Sequence, residues 1–257
     1  MLKYTIYSDK IYFEVIFVDK KIEKLNEMIK SSSKIVFFGG AGVSTESGIP
    51  DFRSADGIYM MNYKYPPEEI ISRSFFDAHP KEFFEFYKKY FYYPDAKPNI
   101  THIKLAKLEK AGKLSAVVTQ NIDGLHTAAG SKKVYELHGS VLRNYCMRCG
   151  KSYDINYIVD SEGVPVCSCG GTVKPDVVLY EESLDEQVIS GAVSAISNAD
   201  MLIVAGTSLR VYPAAGFIRY FKGDNLVLIN RDSTPMDDMF GLVIKGSLGE
   251  VMSKISV

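Results

Sequence analysis

Four short apolar runs constrain this chain more than any other feature: KIVFF (Lys34 to Phe38), LSAVV (Leu114 to Val118), MLIVA (Met201 to Ala205) and LVLI (Leu226 to Ile229). Each is continuously apolar instead of alternating with polar residues, so each must be buried on both faces. KVYEL (Lys133 to Leu137) adds a fifth strand-like run. Strands of this kind belong to a parallel sheet covered by helices on both sides. The intervening sequence supplies the helices. IEKLNEMI (Ile22 to Ile29) is amphipathic; Asn99 or Thr101 caps a helix through Leu105 and Leu108 to Lys110, stopped at Gly112. Ser183 and Glu186 resemble a capping box for a helix through Ile196, and another helix is expected around Ala214 to Phe221. The aromatic stretch Ser74 to Tyr93 has helical spacing and reads as core or groove wall. The expected class is α/β.

In an open parallel sheet, ligands bind beyond the carboxyl ends of the strands, and five polar or glycine-rich loops sit there. After KIVFF comes GGAGVSTESGIPDFRS, Gly39 to Ser54. Gly40 and Gly42 fit a phosphate-binding turn, but Thr45 stands where a dinucleotide fingerprint has its third glycine. After LSAVV comes TQNIDGLH, where Gln120, Asn121 and Asp123 could bind an amide-bearing ligand or form an ordinary hydrogen-bonded turn. His138 follows KVYEL and suits a general base, although a structural histidine is the plainer reading of it alone. Gly206-Thr207-Ser208 forms a second small-residue turn, and Asn230 with Arg231 could meet a ribose or adenine. Asp56 lies too near the glycine loop to be the acidic residue of a dehydrogenase. His79 and His102 read as surface or capping residues, and His126 as structural.

All four cysteines fall between positions 146 and 169, as Cys146-x-x-Cys149 and Cys167-x-Cys169. Two close pairs across a loop present four thiolates to one tetrahedral zinc, with no position open for water, so the zinc is structural. Four unligated buried thiols are the alternative. This stretch interrupts the strand–helix alternation, so a small inserted module at about residues 141–176 is expected. Formal net charge is −1, which provides no general field for nucleic acid. Residues 1–20 form an extension of unknown role; its apolar run, Ile11 to Val18, carries Glu14 and is too short for a signal peptide or a membrane span. It reads as an added strand or a loose arm. A cytoplasmic monomer with no membrane or nucleic-acid partner is expected.

Taken in order, GAGVSTESGIPDFR, TQNIDGLH, ELHGS, the paired cysteines, PDVVLYEE, AGTSL and the Ile229-Asn230 pair resemble the sirtuins, NAD-dependent protein lysine deacylases, from about Ile22 to the C-terminus. The resemblance implies a Rossmann-like lobe at residues 21–257 with a small zinc module inserted in it, and NAD and acyl-lysine meeting between them. It places Gly40, Ala41, Gly42, Thr45, Phe52 and Arg53 on the NAD loop, and Gln120, Asn121, Ile122 and Asp123 at the ribose and nicotinamide pocket. Gly206, Thr207, Ser208, Asn230 and Arg231 fall on the phosphate and adenosine side. His138 becomes the general base, with Asn121 and Asp123 beside it. Val177, Val178, Leu179, Tyr180 and Glu181 become the strand that pairs with an acetylated protein or peptide. The implied reaction is attack of the acyl oxygen on the ribose carbon as nicotinamide leaves, giving free lysine and O-acetyl-ADP-ribose. ADP-ribosyl transfer or NAD hydrolysis in the same cleft, and a non-catalytic zinc module, are the competing readings.

Two departures from the family pattern bear on specificity. VVLYEE stands where many sirtuins have VVFFGE, and Glu181 with Glu182 would put a negative rim beside the peptide. Succinyl-removing members carry Tyr-x-x-Arg, whereas this chain has Tyr87-Lys88-Lys89-Tyr90. Neutral acyl groups, acetyl first, are therefore expected.

Overall fold

The computed structural model describes residues 18–54, 57–60 and 63–257. Asp56 and the extension up to residue 17 lie outside the described residues. The apolar runs form parallel strands. These are β1 (Ile35–Gly39), β2 (Leu114–Thr119), β3 (Val134–Glu136), β7 (Met201–Ala205), β8 (Asn225–Asn230) and β9 (Leu242–Lys245), in the order β3-β2-β1-β7-β8-β9. The chain builds outward from β1 in one direction and from β7 in the other, so the strand order reverses between them. A crevice opens at such a reversal, beyond the carboxyl ends of the two strands.

Strand side chains alternate between two cores. Ile35, Phe37, Val117 and Ile203 pack beneath helices α1 (residues 18–31), α5 (Ile100–Lys110) and α9 (Leu248–Ser253). Val36, Phe38, Val118 and Val204 pack on the other face against α8 (Glu186–Ser197) and a 3-10 helix, Ala214–Tyr220. The sequence reading ends its strand set at LVLI; the structure adds β9, a short edge strand ending in Lys245. The cap of α8 is Asp185, whose carboxylate accepts from the amides of Gln187 and Val188, and not Ser183.

A third core lies outside this sheet. Strands β4 (Gly139–Cys146), β5 (Ser152–Tyr153) and β6 (Val173–Val177) form a small antiparallel sheet ordered β5-β4-β6, with α7 (Ile155–Val159) beside it. Its apolar side packs against the aromatic helices α2 (Pro67–Ile70), α3 (Arg73–Ala78) and α4 (Pro80–Tyr90), through Phe75, Phe83, Phe86 and Tyr87. Two chain segments far apart in sequence thus share one apolar interior. The short helix α6 (Leu125–Ala128) follows the loop after β2.

Candidate active site

The turns after β1 and β7 touch each other. Gly42 donates its amide to the carbonyl of Gly206 at 2.8 Å. A Cβ on Gly40 would come within 2.8 Å of Thr207 Cβ, and one on Gly42 within 2.9 Å of Gly206 Cα. These glycines are therefore required first by the close approach of two backbone turns, a cause the local sequence does not display. Gly206 adopts φ 58°, in the left-handed region.

Beside this junction the loop after β2 is held rigidly. Asn121 donates its carboxamide Nδ2 to Ser44 Oγ at 3.0 Å, and Ser44 donates its hydroxyl to Asp123 Oδ2 at 2.6 Å. The other Asp123 oxygen accepts from the amide of Leu125 at 2.8 Å. Ser44, only 1% exposed, thus fixes both polar groups that the sequence singles out. Nothing local in GAGVSTES marks this serine; its partners come from another strand's loop. Gln120 donates Nε2 to Thr207 Oγ1 at 3.2 Å, which ties the β2 and β7 loops across the crevice.

His138 sits between β3 and β4. Its Nδ1 lies 2.9 Å from the carbonyl oxygen of Gln120, an acceptor, so Nδ1 carries the proton and Nε2 the lone pair. Burial lowers the imidazole's affinity for protons below the ordinary histidine value, and the Gln120 carbonyl offsets this only in part. A neutral histidine with a free Nε2 is what a general base requires near neutral pH. The carbonyl of His138 accepts from the amide of Val178, which ties the base to the segment after β6.

The remaining predicted residues are distributed more widely. Thr45 bonds the Gly42 carbonyl through its hydroxyl, and Ala41 lies in the 3-10 turn after Gly40. Phe52 packs edge-on against Tyr59 and Phe91 in the third core, beside Ile122. Arg53 lies over the Tyr59 ring. Asn230 ends β8 and donates to the Asp232 carbonyl, while Arg231, 72% exposed, stands 3.9 Å from the Asp232 carboxylate. Ser208 is half-buried after Thr207. His102 is fully buried, not a surface residue, and its Nδ1 accepts from the amide of Asn99 in the capping box of α5. His126 is also buried, with ring centroids 4.7 Å apart between the two.

The four cysteine sulfurs lie within 4.8 Å of one another. Cys146 Sγ stands 3.4 Å from Cys169 Sγ, and Cys149 Sγ 3.6 Å from Cys167 Sγ. Ligands about 2.3 Å from a tetrahedral zinc are separated by about 3.8 Å, so the set fits the ion. Tyr153 donates its hydroxyl to Cys167 Sγ at 3.0 Å, as an outer partner of a thiolate should. A Cβ on Gly171 would meet Cys146 Sγ at 2.8 Å, which explains that glycine.

The segment Val177 to Glu181 leaves β6 toward α3. The amide of Tyr180 donates to Ile71 and its carbonyl accepts from Arg73, so one edge of the segment is already paired. Of the expected negative rim, Glu181 stays exposed with only the neutral Ser74 as partner, whereas Glu182 is neutralised by Arg73 and Lys174. Glu181 accepts from the amide and hydroxyl of Ser74, both at 2.9 Å, while Glu182 accepts from Arg73, Lys174 and the amide of Leu179. Glu181 adopts φ 76°, a left-handed backbone that explains why glycine suits this position, and its bonds to Ser74 hold it there. Lys88 donates to the carbonyl and hydroxyl of Ser161, and Lys89 lies 5.0 Å from the Tyr90 ring centroid. Both ammonium groups thus have partners of their own on the protein.

Over residues 40–213 the chain matches the Sir2 family. An NAD-dependent protein deacetylase of Clostridium perfringens (strain 13 / Type A) is 62% identical over 242 residues, which cover 93% of this chain and 99% of that one. One from Staphylococcus aureus (strain N315) is 46% identical, covering 91% and 97%. Among solved structures, a Sir2 complex with a peptide and NAD+ superposes with a TM-score of 0.80 at 40% identity, covering 91% of this chain and 96% of that chain. Sir2 bound to an acetylated peptide gives 0.81 at 39% identity, with the same coverage. The chain belongs to the Sir2 family, the sirtuins.

Proposed function

We infer that this chain removes acetyl groups from lysine side chains of proteins, consuming NAD and one water that cleaves the rearranged intermediate, and releases nicotinamide, free lysine and O-acetyl-ADP-ribose. The observation that carries the site assignment is the pairing of His138 Nδ1 with the Gln120 carbonyl at the crevice between β1 and β7. Bound NAD supplies the ribose carbon from which nicotinamide departs. Around it, Gly40, Ala41, Gly42, Thr45, Gly206, Thr207 and Ser208 form the turns that receive the phosphates, with Asn230 and Arg231 on the adenosine side. Asn121 and Asp123, oriented by Ser44, meet the ribose and carboxamide. Phe52 and Ile122 shield the reacting carbon from water, whose early arrival would hydrolyse NAD. His138 Nε2 accepts the proton from the ribose hydroxyls.

The peptide runs beside Val177, Val178, Leu179, Tyr180 and Glu181. Neutral acyl groups are selected, because Lys88 and Lys89 are committed elsewhere. The four cysteines hold one structural zinc in a module at about residues 141–176 of a catalytic domain spanning 21–257. No helix among the described residues is long and apolar enough to cross a membrane. We propose, on the sequence reading alone, a cytoplasmic enzyme that acts as a monomer. The test is incubation of an acetyl-lysine peptide, and of its succinyl counterpart, with and without NAD, read by mass. Acetyl loss only with NAD, accompanied by nicotinamide, is the expected result. Equal loss in both tubes would refute the reading, and label fixed on protein without peptide deacetylation would favour ADP-ribosyl transfer.

A further inference from the structure

One hydrogen bond joins the segment assigned to NAD directly to the segment assigned to the peptide. The hydroxyls of Tyr59 and Tyr180 lie 2.9 Å apart. On the NAD side, Tyr59 is tightly bound to Phe52 and Arg53. Its amide donates to the Phe52 carbonyl at 2.9 Å, its ring meets the Phe52 ring at 5.5 Å between centroids, and Arg53 lies 5.2 Å above it. The amide of Ile58 donates to the carbonyl of Asp51, which in turn caps the amides of Arg53 and Ser54 with its carboxylate. On the peptide side, Tyr180 has a fixed root. Its backbone is bridged to Ile71 and Arg73, and the next residue, Glu181, is anchored on Ser74 by two hydrogen bonds.

We propose that Tyr180 is a positioning residue for the NAD loop: through the Tyr59 hydroxyl it holds Phe52 and Arg53 in the geometry they need for NAD, and so makes NAD binding and peptide binding favour each other. The inference rests on the functional reading above and deepens it. A peptide laid along Val177 to Glu181 restricts the Tyr180 ring, which restricts Tyr59, and the loop that must cover the dinucleotide is then already ordered. Ordering done once by the first ligand is not required again of the second, which is the physical content of positive coupling. The coupling is reciprocal, so NAD tightens the peptide by the same factor. Phenylalanine at position 180 would fill the same space and carry no such link.

The experiment uses the full chain and ADP-ribose, which occupies the dinucleotide site without reacting, together with an acetyl-lysine peptide. Calorimetric titration gives the Kd for ADP-ribose alone and with saturating peptide; their ratio is the coupling factor. Tyr180→Phe and Tyr59→Phe each remove one hydroxyl, and each is expected to bring the factor about 3- to 10-fold closer to one, the worth of a single net hydrogen bond. The double variant should lose no more than either single one, since both break the same bond. Tyr180 is 39% exposed, so the lost hydroxyl leaves no buried void; equal melting temperatures verify the fold, and Tyr59→Phe tests the bond from its other end. A purely structural role would weaken each ligand by a common amount and leave the ratio unchanged. That result, an uncoupled wild type, or variants with wild-type coupling would each overturn the proposal. A wild type that neither binds ADP-ribose nor releases nicotinamide from NAD would instead refute the functional reading.

Discussion

His138 keeps its Nδ1 2.9 Å from the backbone carbonyl of Gln120, a partner that no side-chain substitution at position 120 removes. The bond fixes the tautomer, and burial keeps the ring neutral at physiological pH. A base with a lowered proton affinity works fully above its folded value and fails as pH falls through it. The acid limb of kcat/KM for deacetylated peptide should therefore lie below the ordinary histidine value of about 6.5. His138→Ala should lower turnover by about 10²- to 10⁴-fold with an unchanged melting temperature. An acid limb that survives the substitution would remove His138 from this role.

Ser44 is the shared partner of Asn121 and Asp123. Ser44→Ala leaves a buried amide and a carboxylate oxygen each one partner short. An expected loss of about 1–3 kcal/mol in urea unfolding follows from buried polar groups left unpaired. The same variant should raise KM for NAD more than KM for the peptide, since both misplaced groups belong to the proposed dinucleotide side.

The cysteine cluster makes a stoichiometric claim. Metal analysis should give about one zinc per chain, because four thiolates complete one tetrahedron. Cys167→Ser should lose the metal, and deacetylation with it. β4 begins at Gly139, the residue after His138, and β6 leads directly into Val177 to Glu181. Loosening this small sheet therefore disturbs both the base and the peptide strand. Full activity in a zinc-free variant would separate the two.

His102 and His126 lie against each other with three ring nitrogens unpartnered. Burial pushes both proton affinities well below the histidine norm; Asp123 opposes this weakly at His102, and His102 adds to it at His126. The unfolded chain therefore binds more protons than the folded one below about pH 6.5. Stability should be full above that pH and fall beneath it, by up to about 1.4 kcal/mol per pH unit for each histidine. Urea midpoints measured between pH 7.5 and 5 should show this fall, to which buried His138 also contributes, and His126→Phe should remove one histidine's share of the slope. A pH-independent midpoint would contradict the burial of two neutral imidazoles.

The sheet was legible because β1, β2, β7 and β8 are continuous apolar runs, and burial on both faces leaves such runs few alternatives. β9 was not, because its apolar run, Leu242 to Ile244, is only three residues long, too short to mark a strand. The helix around Ala214 was placed correctly but is a 3-10 helix, a distinction that composition does not encode. The cysteine set was legible because ligand spacing is local. The roles of Ser44, Glu181 and Tyr180 were not: their partners lie 79, 107 and 121 residues away in sequence. Glu181 is surface charge, as its sequence suggests, and what the sequence does not display is its left-handed backbone and its bonds to Ser74.

The third core is assembled from two chain segments, and that imposes an order on biosynthesis. The phenylalanines of α3 and α4 leave the ribosome long before Cys146 to Cys169 are made, and their apolar partners on β4 and β6 do not yet exist. During that interval the nascent chain carries an uncovered aromatic surface, the kind of surface that chaperones hold and that aggregates when they do not. This interior gains its full set of apolar partners only once the chain has been made through Val177 and Leu179.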